Sequence, residues 1–207
     1  METLLVSTKK YTYQEFVPLL NGPVKVSLTK KAENNIKSSY RDLCSLLKED
    51  QTIYGVNTGF GNLSNISISA ADQRQLQINL VKSHASGVGD PIEIGMVRTI
   101  LFLKLLTYSK GYSGVSLALV KKIMQFINND IMPVIPVKGS VGASGDLAPL
   151  GHMALSLIGQ GKVYLKGKLM TASRALQKSN IKPLDLGPKE GLSLINGTQV
   201  STAFSIK

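Results

Sequence analysis

Apolar residues recur along the chain at two periods, and the changes between them mark out its elements. Ala32, Ile36, Tyr40, Leu43, Cys44 and Leu47 stand at helical spacing, which predicts a helix from a Thr29 cap through Lys48 with one buried face. Thr12-Tyr13-Gln14-Glu15 has the form of a capping box and predicts a short helix. Ser69-Ala70-Ala71-Asp72 has a similar form and opens a helix towards Ser86, stopped by Gly87 and Gly89 before Pro91. Residues 52–60 are β-branched and glycine-rich, predicting a strand that runs into a loop. Residues 92–110 are apolar nearly all round, as in a helix buried in a bundle or an oligomer. Gly111 ends that helix, and Ser113 is the expected cap of a helix over residues 114–128. Pro133 and Pro136 force residues 132–137 to be extended. A buried helix over residues 150–159, a hairpin around Lys166-Gly167, a connector at 183–188 and a helix start at Thr198 complete the pattern.

Composition narrows the class. Hydrophobic residues make up 43% and charged residues 18% of 207 residues, which excludes a disordered chain and suits one large domain, or one domain and part of another. Lys104 and His152 interrupt the longest apolar stretches, so no run reaches the ~18–20 residues of a membrane span. The N-terminus has no basic stretch leading into a long apolar one, so no secretory signal is expected. A single cysteine, Cys44, excludes an internal disulfide framework and a multi-cysteine zinc site. On its helical stripe it reads as a small core residue, and the cytoplasm is the expected compartment. The net charge of +11 raises nucleic acid or an acidic membrane as partners. The charge is dispersed, however, and its densest pairs are Lys9-Lys10, Lys30-Lys31 and Lys121-Lys122. Without a basic block or an RNA-binding or zinc-finger pattern, neither partner is expected. The helical pattern at Thr198 runs to Lys207 without a C-cap, which leads us to expect a truncated chain or one piece of a longer polypeptide.

The densest candidate chemistry is the loop around Gly139, Gly142 and Gly145. As a phosphate cradle it lacks both the GxxxxGK[ST] string and the GxGxxG spacing. As a serine nucleophile elbow, the register around Ser144 fails at both ends, and only His84 or His152 is available as a base. His152 falls on an apolar helix and reads as a packed, hydrogen-bonded core histidine. The third reading is self-cyclisation of Ala143, Ser144 and Gly145. The glycine nitrogen attacks the alanine carbonyl carbon, and loss of water, with the serine hydroxyl, leaves an exocyclic methylidene. A small first residue, a hydroxyl leaving group and an unhindered glycine nitrogen are the types this chemistry needs.

Three further segments stand with this loop: YGVNTGFG at 54–61, SHASGVGDP at 83–91 and EGLSLINGTQ at 190–199. Together the four closely resemble the aromatic amino acid ammonia-lyase family, and within it the members acting on histidine. The resemblance implies a mainly α fold, like that of the fumarase and aspartase group. A small mixed α/β N-terminal region, residues 1–197, would lead into a truncated central helical bundle from residue 198 to 207. It implies the electrophile 4-methylidene-imidazol-5-one formed from Ala143, Ser144 and Gly145, with no diffusible cofactor and no metal. It also implies a small-molecule amino-acid substrate and a homotetramer in the full-length form.

Carried over residue by residue, Tyr54 matches the family's catalytic base for the β-proton. Left to itself, Tyr54 reads as a buried strand tyrosine, although glycines on both sides argue against a packed strand. His84 matches the position facing the substrate side chain, and its local reading is a helix-end histidine. Asn196 matches the asparagine beside the electrophile and the substrate amine or carboxylate, and its local reading is an N-cap for the last helix. Asp146 is expected to position the precursor loop or to cap the helix at Leu150. The function so implied is elimination of ammonia from L-histidine to give trans-urocanate. The alternatives are a tyrosine or phenylalanine ammonia-lyase or aminomutase of the same family, or an inactive fragment of such a lyase. The family's carboxylate-binding arginine, second tyrosine and late glutamate have no counterpart here, so this chain alone is expected to be inactive. The helix over residues 92–110 is then expected to be left half uncovered and to drive association.

Overall fold

The computed structural model describes residues 2–48, 53, 55–59, 70–141 and 145–207. It is mainly helical, with three small sheets. Strands β1 (Thr3–Val6) and β2 (Lys25–Leu28) pair in parallel, Thr3 opposite Lys25 and Val6 opposite Leu28. Parallel neighbours need a crossover. Here it is a 3-10 turn at Tyr13–Phe16 followed by α1 (Val17–Asn21). The capping box forms as expected, with the Glu15 carboxylate accepting the Thr12 backbone N–H at 2.9 Å.

Helix α2 (Lys30–Leu46) starts where Thr29 predicts, its Oγ1 accepting the Ala32 N–H at 3.3 Å. Ala32 and Ile36 are buried, whereas Tyr40, Leu43 and Cys44 are half-buried, so the stripe meets the core mainly at its N-terminal end. The strand expected at 52–60 is corrected where it is described. Gly55, Val56 and Asn57 form a turn, with Gly55 at φ 70°. The Asn57 side chain accepts the Ile53 N–H at 2.7 Å, a local bond that takes the donor a strand ladder would use.

Helix α3 (Ala70–His84) is followed by an unanticipated strand, β3 (Val88–Pro91), antiparallel to β5 (Pro136–Lys138). Helix α5 (Leu117–Asn128) starts later than expected. Its cap is Ser116, which accepts the Leu119 N–H at 3.2 Å, and not Ser113. Strands β4 (Ile131–Pro133), β6 (Lys162–Leu165) and β7 (Lys168–Thr171) form an antiparallel sheet in the order β4-β6-β7. The β6–β7 hairpin turns at Lys166 and Gly167, whose φ values of 48° and 77° suit a two-residue primed turn. Helix α6 (Leu147–Leu157) begins before Leu150, because Pro149 is tolerated in a first turn. Thr171 caps α7 (Ala172–Lys178), and after the connector come α8 (Glu190–Ile195) and α9 (Gln199–Ile206).

Helix α4 (Ile94–Ser109) is the spine. It packs against α1, α2, α5, α9 and β1, and Met96 to Phe102, Lys104, Leu105, Tyr108 and Ser109 are all buried. The expectation that half of this helix lies uncovered is therefore corrected: the chain's own elements cover most of it. Its one full ion pair is inward, with Arg98 Nη2 3.2 Å from Asp130 Oδ1 and Nη1 donating to the Leu19 carbonyl at 2.6 Å. Among the described residues, no helix is long and apolar enough to cross a membrane.

The α1–α4 contact is set by Gly95. A Cβ there would lie 2.4 Å from the Leu20 carbonyl oxygen and 2.9 Å from the Leu20 Cα, both backbone atoms. Alanine normally favours a helix over glycine. Gly95→Ala should nevertheless destabilise the fold by about 1–3 kcal/mol, the usual cost of overpacking. Urea unfolding of the two proteins checks this, and an equal or higher midpoint for the variant would mean that α1 shifts freely.

Candidate active site

The loop from Ser140 to Asp146 is closed by a hydrogen bond between its ends: Ser140 Oγ donates to Asp146 Oδ1 at 2.8 Å. Ala143 and Ser144 lie outside the described residues, as does Tyr54. Gly145 and Asp146 are described, and both are buried. Asp146 occupies the N-cap position of α6, yet its side chain makes no bond to that helix. The expectation of a cap for the helix at Leu150 is corrected here. Its carboxylate reaches across to the start of α9, where Oδ2 accepts the N–H groups of Val200 and Ser201 at 2.9 and 2.8 Å. Oδ1 also accepts the Ser201 hydroxyl at 2.6 Å. These N–H groups are among those a helix start leaves unpaired, and the helix dipole favours an anion there. The Asp146 N–H in turn donates to the Gly197 carbonyl at 2.7 Å.

That exchange presses Gly145 against the turn between α8 and α9. A Cβ on Gly145 would stand 3.1 Å from both the N and the O of Gly197, and 3.4 Å from Asn196 Oδ1. A side chain there would need the Gly197 backbone to give by a few tenths of an ångström. Asn196 is the C-cap of α8, with extended backbone, and is exposed. Its local reading as the cap of the last helix is corrected, since Asp146 supplies that cap from a distant part of the chain. The Asn196 side chain thus lies beside Gly145 and borders an open cavity of about 200 Å³, together with Thr107, Tyr112 and Lys189.

His84 ends α3 and is half-buried, with Nδ1 2.8 Å from the Leu80 carbonyl and 3.1 Å from Ser83 Oγ. A carbonyl partner makes Nδ1 the donor, which leaves Nε2 as the acceptor of a neutral ring. Helix α6 meets this end of α3 at Gly151, where a Cβ would be 2.9 Å from the Ala85 N and the His84 carbonyl carbon. The structure thus brings Gly145, Asp146 and Asn196 together. It joins His84 to them through the packing of α3 on α6 and on α8, where Gln77 accepts the Leu192 N–H at 3.0 Å; among the described residues no hydrogen bond links His84 to Gly145 or Asn196. His152 is the packed, hydrogen-bonded histidine expected, its Nε2 accepting the Gly87 N–H at 3.0 Å while burial lowers its pKa.

Sequence reasoning passed over Lys104, noted only as a break in an apolar run. Its side chain is wholly buried, and Nζ donates to the Asn196 carbonyl at 2.9 Å and to Gln199 Oε1 at 3.3 Å. Gln199 also donates from Nε2 to Thr107 Oγ1 at 3.1 Å. Nζ lies 5.6 Å from the Tyr108 ring centre. Burial pushes the Lys104 pKa down to about 7, against an opposing pull from the Asp146 carboxylate. The available signal was the helix itself: a lysine on a helix that is apolar all round has no solvent face to occupy.

Comparison with known proteins adds the following. The family described as aromatic amino acid lyase matches residues 11–207. The histidine ammonia-lyase of Photorhabdus laumondii is 44% identical over the whole chain, which covers 40% of that protein. The histidine ammonia-lyase of Salmonella typhimurium is 41% identical, with 41% of it covered. Among solved structures, the ergothioneine-degrading ergothionase of Treponema denticola superposes with a TM-score of 0.95 at 29% identity, over 99% of this chain and 41% of that one. The histidine ammonia-lyase of Trypanosoma cruzi gives 0.90 at 31%, with 100% and 39% covered. The phenylalanine aminomutase of Pantoea agglomerans gives 0.90 at 33%, with the same coverage. The chain spans about two-fifths of the length of these relatives.

Two outcomes test the polar network. Asp146→Ala should cost about 2–4 kcal/mol, because it leaves buried N–H groups of α9 without an acceptor. Denaturant unfolding measures it, and a cost under half a kcal/mol would mean that water replaces the carboxylate. The second outcome concerns pH. Lys104 has a pKa of about 7 in the fold against 10.5 in open solvent, so between these values the unfolded chain holds a proton that the folded chain has released. Stability from this group therefore rises with pH across that window, and below pH 7 the full cost of burying the charge is present. Wild type should gain ~2 kcal/mol on Lys104→Met between pH 7 and 8.5. A pH-independent difference between the two unfolding free energies would refute this.

Proposed function

Because the chain belongs to the aromatic amino acid lyase family, we propose that it carries the electrophile-forming part of an enzyme that eliminates ammonia from L-histidine to give trans-urocanate. The observation that carries the reading is the convergence of Gly145, Asp146 and Asn196 at the head of α9. The residues present suit ring closure. Gly145 is packed tightly against the Gly197 backbone, and Asp146 with Ser140 draws the ends of the loop together. Closure of Ala143, Ser144 and Gly145 forms a bond from the Gly145 nitrogen to the Ala143 carbonyl carbon. The alanine oxygen leaves as one water as a double bond forms to the Ser144 nitrogen. The serine hydroxyl, with the Cα hydrogen, leaves as a second water. The finished group supplies an electron-poor methylidene.

The other side chains have roles consistent with the resemblance. Tyr54 is the base for the β-proton. His84, with Nδ1 bound to Leu80, offers Nε2 to a polar substrate ring. A site built to pair with an imidazole discriminates against rings that leave it unpaired. The Asn196 amide takes the substrate amine or carboxylate. Curated relatives that are 41–44% identical are histidine ammonia-lyases, which supports histidine as substrate. The aminomutase neighbour keeps tyrosine or phenylalanine chemistry as the second reading. A homotetramer in the cytoplasm belongs to the same reading.

Intact-mass measurement tests the chemistry. Wild type should be lighter than its gene predicts by the mass of two water molecules, and Ser144→Ala, lacking the leaving hydroxyl, should not lose the second. Full mass in folded wild type would end the cyclisation reading. Absorbance of urocanate and ammonia release from histidine, tyrosine and phenylalanine then separate the substrates. A formed ring without turnover of any of the three would identify an inactive fragment.

A further inference from the structure

The least expected group near the site is a lysine with no solvent and no carboxylate contact. Lys104 sits in the middle of α4 and is fully buried, yet the described residues place no carboxylate oxygen within ion-pair distance of its Nζ. Its Nζ instead donates to the carbonyl of Asn196 and to the Gln199 side-chain oxygen and lies over the face of Tyr108. The Asn196 carbonyl ends α8, where carbonyls lack partners and the dipole favours a cation. On the opposite side of the same turn, Asp146 holds the Val200 and Ser201 N–H groups. The turn from Asn196 to Gln199 is thus gripped by the Lys104 amino group at the carbonyl that ends one helix and by a carboxylate at the N–H groups that start the next. The two grips meet at the peptide against which Gly145 packs.

We propose that Lys104 is a positioning residue for ring formation: it fixes the Asn196–Gln199 turn so that Gly197 and Asn196 press on Gly145 and the Asn196 amide faces the loop. The ring-forming part of this rests on the cyclisation reading above, whereas the fixing of the turn stands on the hydrogen bonds alone. A structural lysine of ordinary kind would lower stability everywhere when removed; a positioning lysine loosens one turn and slows one reaction.

The test compares wild type, Lys104→Met, which keeps the length without a donor, and Lys104→Arg, which keeps the charge and the donors. Hydrogen exchange reads the Asp146, Val200 and Ser201 amides against those of the β1–β2 pair, and intact mass reads the extent of ring closure with time. Lys104→Met should exchange at least tenfold faster at those three amides with β1–β2 unchanged, and should close the ring at least tenfold more slowly. Lys104→Arg should recover most of both. Unchanged exchange and unchanged closure in Lys104→Met overturn the proposal. If Lys104→Met loses protection everywhere, Lys104→Arg decides: folded with the ring upholds the proposal, folded without it overturns it. Full mass in wild type, together with local loosening in Lys104→Met, removes the cyclisation reading and upholds the fixing of the turn. Ring formation in wild type and in Lys104→Met at equal rates overturns positioning and leaves cyclisation standing.

Discussion

The contact on which the candidate site depends is the Asp146 carboxylate at the head of α9. A buried carboxylate is costly unless its oxygens are satisfied. Here two backbone N–H groups and two hydroxyls satisfy them, from Val200, Ser201 and Ser140. The charge is met at a helix N-terminus, where it serves as the cap that the local sequence does not provide. Because Asp146 immediately follows Gly145, the same bonds fix the loop, the start of α6 and the start of α9 relative to one another. None of these three could shift without breaking a charge-assisted hydrogen bond, which is among the strongest available to a protein.

Helix α4 supplies the rest of the frame, and its two buried basic side chains work alike as donors. Arg98 grips the Leu19 carbonyl in the last turn of α1, and Lys104 grips the Asn196 carbonyl at the end of α8. Each gives a partner to an unpaired carbonyl at the end of a neighbouring helix. The rest of α4 is mainly apolar, with further directed bonds from the Tyr108 hydroxyl to the Ser193 carbonyl, from the Ser109 hydroxyl to the Ser7 carbonyl and from Gln199 to Thr107. Together with these bonds, Arg98 and Lys104 set where along and around α4 those helix ends dock, which apolar packing alone would leave loosely specified.

How much was legible in the sequence follows from the range of each interaction. The caps at Thr12 and Thr29, the primed turn at Lys166-Gly167 and the all-round apolar α4 are local, so the residues that form them are adjacent and readable. The start of α5 at Ser116 was misread because Ser113 offers the same hydroxyl, and only the backbone at Gly114, with φ 60°, keeps the helix from starting earlier. The β3–β5 pair was missed because its strands carry Gly89, Asp90, Pro91 and Pro136, residues that strands avoid. The role of Asp146 as the cap of α9 was beyond local reading, since its partners lie far along the chain. The loop at 139–145 is readable as a candidate because the residue types that the proposed reaction needs are contiguous in the sequence. The coverage of α4 was not readable, because it depends on how several separate elements, from α1 to α9, fold over it.

The site has a further economy in which atoms do the holding. Asn196 is fixed by its backbone, the N–H to the Leu192 carbonyl and the carbonyl to Lys104, so its amide is left at the surface beside Gly145. His84 is fixed through Nδ1 and the Leu80 carbonyl, so Nε2 is left over. Asp146 is consumed in holding: its two oxygens accept from the Ser140 and Ser201 hydroxyls and from the Val200 and Ser201 N–H groups, which takes up their lone pairs. A group that must meet a small molecule has to be rigid and unsatisfied at once, and the two demands conflict when one atom serves both. Dividing them between different atoms of the same residue resolves the conflict. It also separates two kinds of residue on physical grounds: those whose polar atoms are spent on the frame, Asp146 and Lys104, from those that keep a polar side-chain atom free of the frame, Asn196 and His84.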